Sequence, residues 1–415
     1  MRNAIRQCAI LAGGLGTRLG AITVATPKPV LDIGGRPFLF WLMRELLRFG
    51  IDDFLLLTGH LSAEVEQAVR RAADELPRQV KLRFSVEPAP SGTGGALFHA
   101  AALLDERFLL CNGDSLFDCN LAALLVDASR EPTGAIGRML LRQIDDASRY
   151  GVVELDADRV AAFRERPAAG TPGIINVGIY ALDRSVLDHV RPTCSLERDV
   201  LPALAASGQL TGTLAEGWFI DIGICDDLAR ARQELPRRLR RSALFLDRDG
   251  VLNVDHGHVG TRDRWEWIPG ALDAIRLATA SFRHVFIVTN QSGVARGFYD
   301  EAAVEDLLAW VGDQARLHGG TIDDSRYCPF HPDGVVAAYC RISDWRKPGP
   351  GMLLDLIRVW ELDPRHCVLV GDKPTDMAAA AAAGMRGHLF PGGNLADFIA
   401  PMLWAPSSLA ETPEE

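Results

Sequence analysis

The 415-residue sequence has no Cys-x-x-Cys pair, no internal repeat and no excess of positive charge. It also has no apolar run near the ~20 residues that a membrane span needs, so a membrane protein is not expected. The segment Met1-Arg2-Asn3-Ala4-Ile5-Arg6-Gln7 leads into an apolar stretch without the h-region of a signal peptide, which makes the cytoplasm the expected location. In that compartment the eight scattered cysteines read as reduced, mostly buried thiols. A net charge of -10 argues against nucleic acid as the main partner.

What is present is a globular composition, 48% hydrophobic and 24% charged, in a chain too long for one ordinary core. Residues 5–11 read as a strand, 38–49 as a helix closed by Gly50, 54–58 as a buried strand, 62–76 as a helix stopped by Pro77, and 108–112 as another buried strand. Such alternation predicts a parallel, doubly wound α/β sheet, with ligands at the carboxyl ends of its strands. Gly13-Gly14 and Asp114 fall there. The first pattern closes near Asp227, followed by a helix over 228–235. Pro236-Arg237-Arg238-Leu239-Arg240-Arg241 then reads as a solvated basic linker. A second alternation starts at Ala243 and continues through strands at 285–288 and 367–370 and a helix over 301–317. Two Rossmann-like α/β domains are expected, at 1–236 and 242–395, with a frayed tail from Ala405.

The first alternation carries Gly13-Gly14-Leu15-Gly16-Thr17-Arg18, then Pro27-Lys28-Pro29. Glycines let backbone N–H groups approach phosphate oxygens. Arg18 and Lys28 supply two cations of the kind that neutralise a triphosphate and its pyrophosphate leaving group. From residue 5 to about 235 the order of motifs resembles the sugar-1-phosphate nucleotidyltransferases. By that resemblance Ala12, Gly13, Gly14, Gly16 and Thr17 cradle the nucleotide, and Glu87 with Gly92-Thr93-Gly94 belongs to the base-reading segment. Asn112 belongs to the strand end that carries the metal carboxylate Asp114. Glu165, Arg166 and Asn176 belong to the sugar-phosphate segments, and Trp218-Phe219-Ile220-Asp221 brings the second metal carboxylate. The resemblance implies Mg²⁺ at Asp114 and Asp221 and in-line attack of a sugar 1-phosphate on the α-phosphorus. Arg166 stands where the family usually has lysine, and Ile224-Cys225-Asp226-Asp227 replaces the usual Thr-Pro-Glu-Asp. Within this family the segment looks closest to the heptose 1-phosphate guanylyltransferases, which implies GTP. The glycine segment does not itself select a base.

The second alternation opens with Asp247-Arg248-Asp249-Gly250 after an apolar strand. Two carboxylates at that spacing suit attack on phosphorus by one and proton transfer by the other. Thr289-Asn290-Gln291-Ser292, Arg346-Lys347-Pro348 and Gly371-Asp372-Lys373-Pro374-Thr375-Asp376 follow in order. The set resembles the haloacid-dehalogenase superfamily over 243 to about 390, and within it the heptose bisphosphate phosphatases. Histidinol phosphatase is the near cousin. The resemblance implies Asp247 as nucleophile, Asp249 as general acid and base, Thr289 and Lys347 on the phosphoryl group, and Asn290 and Arg346 toward substrate. It implies Mg²⁺ held by Asp247, Asp372 and the backbone carbonyl of Asp249, with Asp376 orienting Lys347 or the metal shell rather than ligating. His256 and His258 are candidates for substrate or for solvent. That family often has a zinc loop; here Cys328 alone keeps its place, with Phe330, Ser343 and Trp345 at the other three, so zinc is not expected and packing should hold the loop.

A phosphatase that leaves a sugar 1-phosphate would feed a transferase that consumes one. The expected protein is therefore a bifunctional enzyme of nucleotide-activated heptose synthesis, with nucleoside triphosphate and sugar phosphates as its partners. A homo-oligomer is compatible with this reading. The alternatives are the same reactions on mannose, another heptose or a polyol phosphate, or one half serving as a binding module.

Overall fold

A computed structural model describes residues 5–14, 16–130 and 134–403, without the side chain of Thr17. The chain divides into two compact units between Leu239 and Arg240. The tail expected to fray from Ala405 lies outside the described residues. Among those residues, no helix is long and apolar enough to cross a membrane.

In the first unit, besides a two-residue antiparallel pair at Asp32–Ile33 and Arg36–Pro37, the strands are β1 (Gln7–Leu11), β2 (Asp53–Thr58), β3 (Lys81–Val86), β4 (Arg107–Asn112), β5 (Ser115–Asp118), β6 (Gly137–Ile144), β7 (Val152–Asp156), β8 (Arg159–Arg164), β9 (Gly173–Asp183), β10 (Leu210–Leu214) and β11 (Trp218–Asp221). Nine of them form one sheet in the order β3-β2-β1-β4-β9-β6-β10-β8-β7. The parallel arrangement expected from strand–helix alternation holds for β3-β2-β1-β4. There helices α1 (Phe38–Arg48), α2 (Ser62–Asp74) and α3 (Gly92–His99) separate the strands. Beyond β4 the sheet is mixed, because β9 runs antiparallel to β4 and β6. There β7 and β8 form a tight antiparallel hairpin: Ala157-Asp158 alone joins them, with Ala157 at φ 54°.

Helices α4 (Leu121–Ser129), α5 (Leu201–Ala206) and α6 (Cys225–Arg238) complete this unit. The stretch expected as a solvated basic linker is instead, in its first half, the end of α6. α6 runs through Pro236, and the chain stays helical to Arg238. Its buried stripe Leu228, Ala231, Leu235 and Leu239 repeats at helical spacing and is fully enclosed in the first core. That burial outweighs the hydrogen bond a mid-helix proline forfeits.

The second unit is a parallel five-stranded sheet. Its strands are β12 (Ala243–Leu246), β13 (His284–Asn290), β14 (Asp324–Cys328), β15 (Val368–Gly371) and β16 (Arg386–Leu389), in the order β14-β13-β12-β15-β16. All four residues of β12 are inaccessible to solvent, as expected for a strand covered on both faces. Strand order reverses at β12, which opens a crevice at its carboxyl end. Asp247 is the next residue.

Candidate active sites

In the first unit, the loop after β1 and the end of β4 frame a cavity of about 550 Å³. Gly13, Gly14, Gly16, Arg18, Lys28, Glu87, Gly92, Thr93, Asn112 and Asp114 all line it. β5 pairs with β11 so that Asp221 lies opposite Ser115, which brings Asp221 beside Asp114. Lys28, buried behind the loop, donates to Asp114 and lies 3.5 Å from Asp221. Burial and the neighbouring Asp114 push the Asp221 carboxyl above its ordinary pKa, against the pull of Lys28. Two carboxylates converging beside Lys28 and Arg18 offer the oxygen donors that a divalent metal takes.

The remaining residues divide. Glu87 accepts from the backbone N–H of Ser91 at 3.1 Å and from its hydroxyl through Oε2. Oε1 lies toward Gly13, where an added Cβ would come within 3.1 Å of it. Thr93 donates to Glu197 at 2.7 Å and accepts from the Leu196 N–H at 2.8 Å. Gly94 donates its N–H to the Cys194 carbonyl at 3.0 Å. Asn176 spends its amide on its own strand, donating to the Tyr180 hydroxyl at 2.7 Å and accepting from the Gly178 N–H at 2.9 Å. Gly178, at φ 76°, is there because a Cβ would strike Asn112 Nδ2 at 2.4 Å. Ala12 is buried beneath the loop. Glu165 and Arg166 stand exposed after β8, apart from the residues that line the cavity. Glu197 lines the cavity and escapes a motif search, since it lies 104 residues from its partner Thr93.

In the second unit, a cavity of about 420 Å³ sits at the end of β12. Asp247 lies 2.8 Å from Lys347 Nζ, and Asp376 lies 2.7 Å from the same atom. The Val288 carbonyl takes the third ammonium proton at 2.9 Å. Burial raises the Asp247 carboxyl to about 6, with Asp376 adding and Lys347 opposing. Burial lowers Lys347, but the two carboxylates push it further up, so it stays charged. Asn290 grips the Lys347 backbone at both ends, donating to its carbonyl and accepting from its N–H, each at 3.0 Å.

Gly250, at φ 87°, lets Asp372 approach: a Cβ there would lie 2.3 Å from Asp372 Oδ2. Asp247, Asp372 and Asp376 place carboxylate oxygens within 4.8 Å of one another. Asp372 Oδ1 is buried with no hydrogen-bond partner. An orphaned carboxylate oxygen in such a cluster fits a divalent cation. Asp249 accepts from Arg248 at 2.8 Å, Asn253 at 3.0 Å and Gln291 at 3.1 Å. Thr289 faces the cavity and accepts from Gln291 at 2.8 Å. Arg346 lines the wall with Nη1 buried and without a partner. His258 also lines the cavity, whereas His256 bonds Glu266 at 2.9 Å.

The loop before Arg346 is held by side-chain contacts. The Arg341 guanidinium lies 3.8 Å over the Phe330 ring, and Tyr339 donates to Glu301 at 2.6 Å. Cys340 donates to the Pro332 carbonyl at 2.9 Å. Among the described residues Cys328, His331 and Cys340 form no three-ligand cluster.

Residues 8–238 match the nucleotidyl transferase family, and residues 344–398 match the HAD-hydrolase-like family. The chain belongs to the nucleotidyl transferase family and carries a haloacid-dehalogenase-like phosphatase unit behind it. It is an enzyme with both activities. The D-glycero-beta-D-manno-heptose-1,7-bisphosphate 7-phosphatase of Rhodopseudomonas palustris is 46% identical over 164 residues, which are 40% of this chain and 91% of that protein. The mannose-1-phosphate guanylyltransferase catalytic subunit beta of Danio rerio is 32% identical over 252 residues, 57% of this chain and 69% of that protein. A crystal structure of HddC from Yersinia pseudotuberculosis is 30% identical, with a TM-score of 0.49 over 55% of this chain and 99% of that one.

Proposed function

We propose that the chain is a cytoplasmic enzyme making a nucleotide-activated heptose. Residues 242–395 remove the 7-phosphate of D-glycero-D-manno-heptose 1,7-bisphosphate. Residues 1–236 then transfer GMP from GTP to the resulting 1-phosphate and release pyrophosphate. The observation that carries the first step is the buried set Asp247, Lys347 and Asp376 with the half-buried Asp372 and Asp249 beside it. The bisphosphate is supported by the R. palustris relative and by Arg346, whose unpartnered Nη1 is suited to a second phosphate.

In the phosphatase step, an Asp247 oxygen bonds to phosphorus as the bond from phosphorus to the sugar oxygen breaks. Asp249 gives its proton to that oxygen. Asp249 then takes a proton from the water that attacks the aspartyl-phosphate, which frees phosphate and restores Asp247. Lys347 and the Thr289 hydroxyl balance charge on the phosphoryl oxygens. Asp247, Asp372 and the Asp249 carbonyl would hold Mg²⁺, which supplies further charge neutralisation.

In the transfer step, the 1-phosphate oxygen bonds to the α-phosphorus as pyrophosphate leaves. Arg18 and Lys28 neutralise the leaving group, while the glycine loop aligns the triphosphate. Asp114 and Asp221 would hold Mg²⁺. GTP is supported by the Danio rerio relative. That relative also favours a second reading, in which mannose 1-phosphate is the acceptor. Pyrophosphate release from heptose 1-phosphate and mannose 1-phosphate, each with GTP, decides between them: faster turnover of heptose 1-phosphate is expected, and turnover of mannose 1-phosphate alone contradicts the heptose reading.

A further inference from the structure

We propose that Tyr299 is a positioning residue for the phosphatase reaction, acting through Gln291 on Asp249; the inference rests on the phosphatase reading above. Gln291 is 1% exposed and both ends of its amide are committed. Nε2 donates to Asp249 Oδ2 at 3.1 Å and to Thr289 Oγ1 at 2.8 Å. Oε1 accepts from the Tyr299 hydroxyl at 2.8 Å.

The direction of this amide matters. Turned over, it would set its oxygen against the Asp249 carboxylate, acceptor facing acceptor. The phenol proton on the other side favours the productive direction. The same direction uses Thr289 Oγ1 as an acceptor, which leaves the Thr289 proton free for a phosphoryl oxygen. Arg248 and Asn253 bind the other oxygen of Asp249, Oδ1, from its own loop. Gln291 is the restraint on Oδ2 from a separate strand end. It therefore helps set which way that oxygen faces when the proton passes to the leaving sugar oxygen.

The Tyr299 ring is itself gripped by backbone. A Cβ at Gly260 would lie 2.2 Å from its Cδ1, and one at Gly293 would lie 2.3 Å from its Cζ. Glycine at both positions leaves the ring the space that a side chain would fill. The hydroxyl is thus delivered to Gln291 by a rigid support rather than by a free side chain.

Tyr299→Phe keeps the ring and removes the hydroxyl. The test compares heptose 1,7-bisphosphate with p-nitrophenyl phosphate, whose phenolate leaves without a proton. On the bisphosphate, kcat is expected to fall about tenfold while KM stays within about twofold. On p-nitrophenyl phosphate the single-turnover release of p-nitrophenolate, which reads the first step alone, should fall about twofold or less, because acid catalysis contributes little there. Gln291→Leu should give the same pattern, and the double variant should be no worse than Gln291→Leu alone. Equal losses in that first step on both substrates, or no loss on the bisphosphate, would overturn the inference. Asp247→Asn separates it from the reading beneath it. A still-active Asp247→Asn removes the phosphatase mechanism, whereas an inactive Asp247→Asn beside an unchanged Tyr299→Phe removes only the role of Tyr299.

Discussion

The Lys347 ammonium meets the Asp247 carboxylate at 2.8 Å, with Lys347 only 3% exposed and Asp247 only 6%. Asp376 on the other side of the lysine makes the group a buried triad with one more negative than positive charge. Lys347→Met would keep the volume and leave two carboxylates uncompensated. The second unit should lose about 3–5 kcal/mol in denaturant unfolding. Phosphate release should fall by about 10²–10³-fold. Unfolding unchanged from the parent protein would show that the triad is not held as described.

The raised Asp247 carboxyl gives metal binding a pH dependence. With its pKa pushed up to about 6 by burial, the group is protonated below that pH and cannot ligate a cation. Above it the carboxylate is free to bind. Mg²⁺ affinity of the metal-free protein, followed by calorimetry, should therefore weaken as pH drops from 7 to 5, with proton release on binding near pH 6. An affinity flat across that range would contradict Asp247 as a ligand.

Gly250 is a second point of control over the same cluster. Gly250→Ala would force a Cβ to within 2.3 Å of Asp372 Oδ2 at a backbone angle of φ 87°. Mg²⁺ binding by the second unit should weaken by about 10–100-fold, with circular dichroism unchanged. Normal Mg²⁺ affinity in this variant would place the ion elsewhere.

The two activities should separate by substitution. Asp114→Asn or Asp221→Asn should reduce pyrophosphate release by about 10²-fold or more while phosphate release continues. Asp247→Ala should do the reverse when sugar 1-phosphate is supplied. Loss of both reactions from either substitution would mean that the two sites are not independent.

Much of this was legible in the chain because the chemistry sits where strands end. Apolar runs such as 107–112 and 243–246 became strands, and the carboxylates just beyond them lie at the cavities. Other features depend on tertiary contacts that local pattern does not carry. Pro236 looks like a breaker in one dimension, yet burial of Leu235 and Leu239 carries the helix through it. The mixed part of the first sheet follows from β9 inserting between β4 and β6, a pairing between distant segments. Glu165 and Arg166 sit in the expected motif but stand outside the cavity, while Glu197 reaches it from a helical turn with no motif of its own. Tyr299 likewise joins the second site only through the fold.

By the function proposed above, one chain converts a sugar bisphosphate to a nucleotide sugar through its own 1-phosphate. The most direct measurement supplies heptose 1,7-bisphosphate, each anomer separately, with Mg²⁺ and each of the four NTPs, and reads phosphate and pyrophosphate independently. Phosphate release is expected first, then pyrophosphate with GTP and not with the other three. Phosphate without pyrophosphate for any NTP would contradict the coupled pathway, and neither product would contradict the heptose assignment itself.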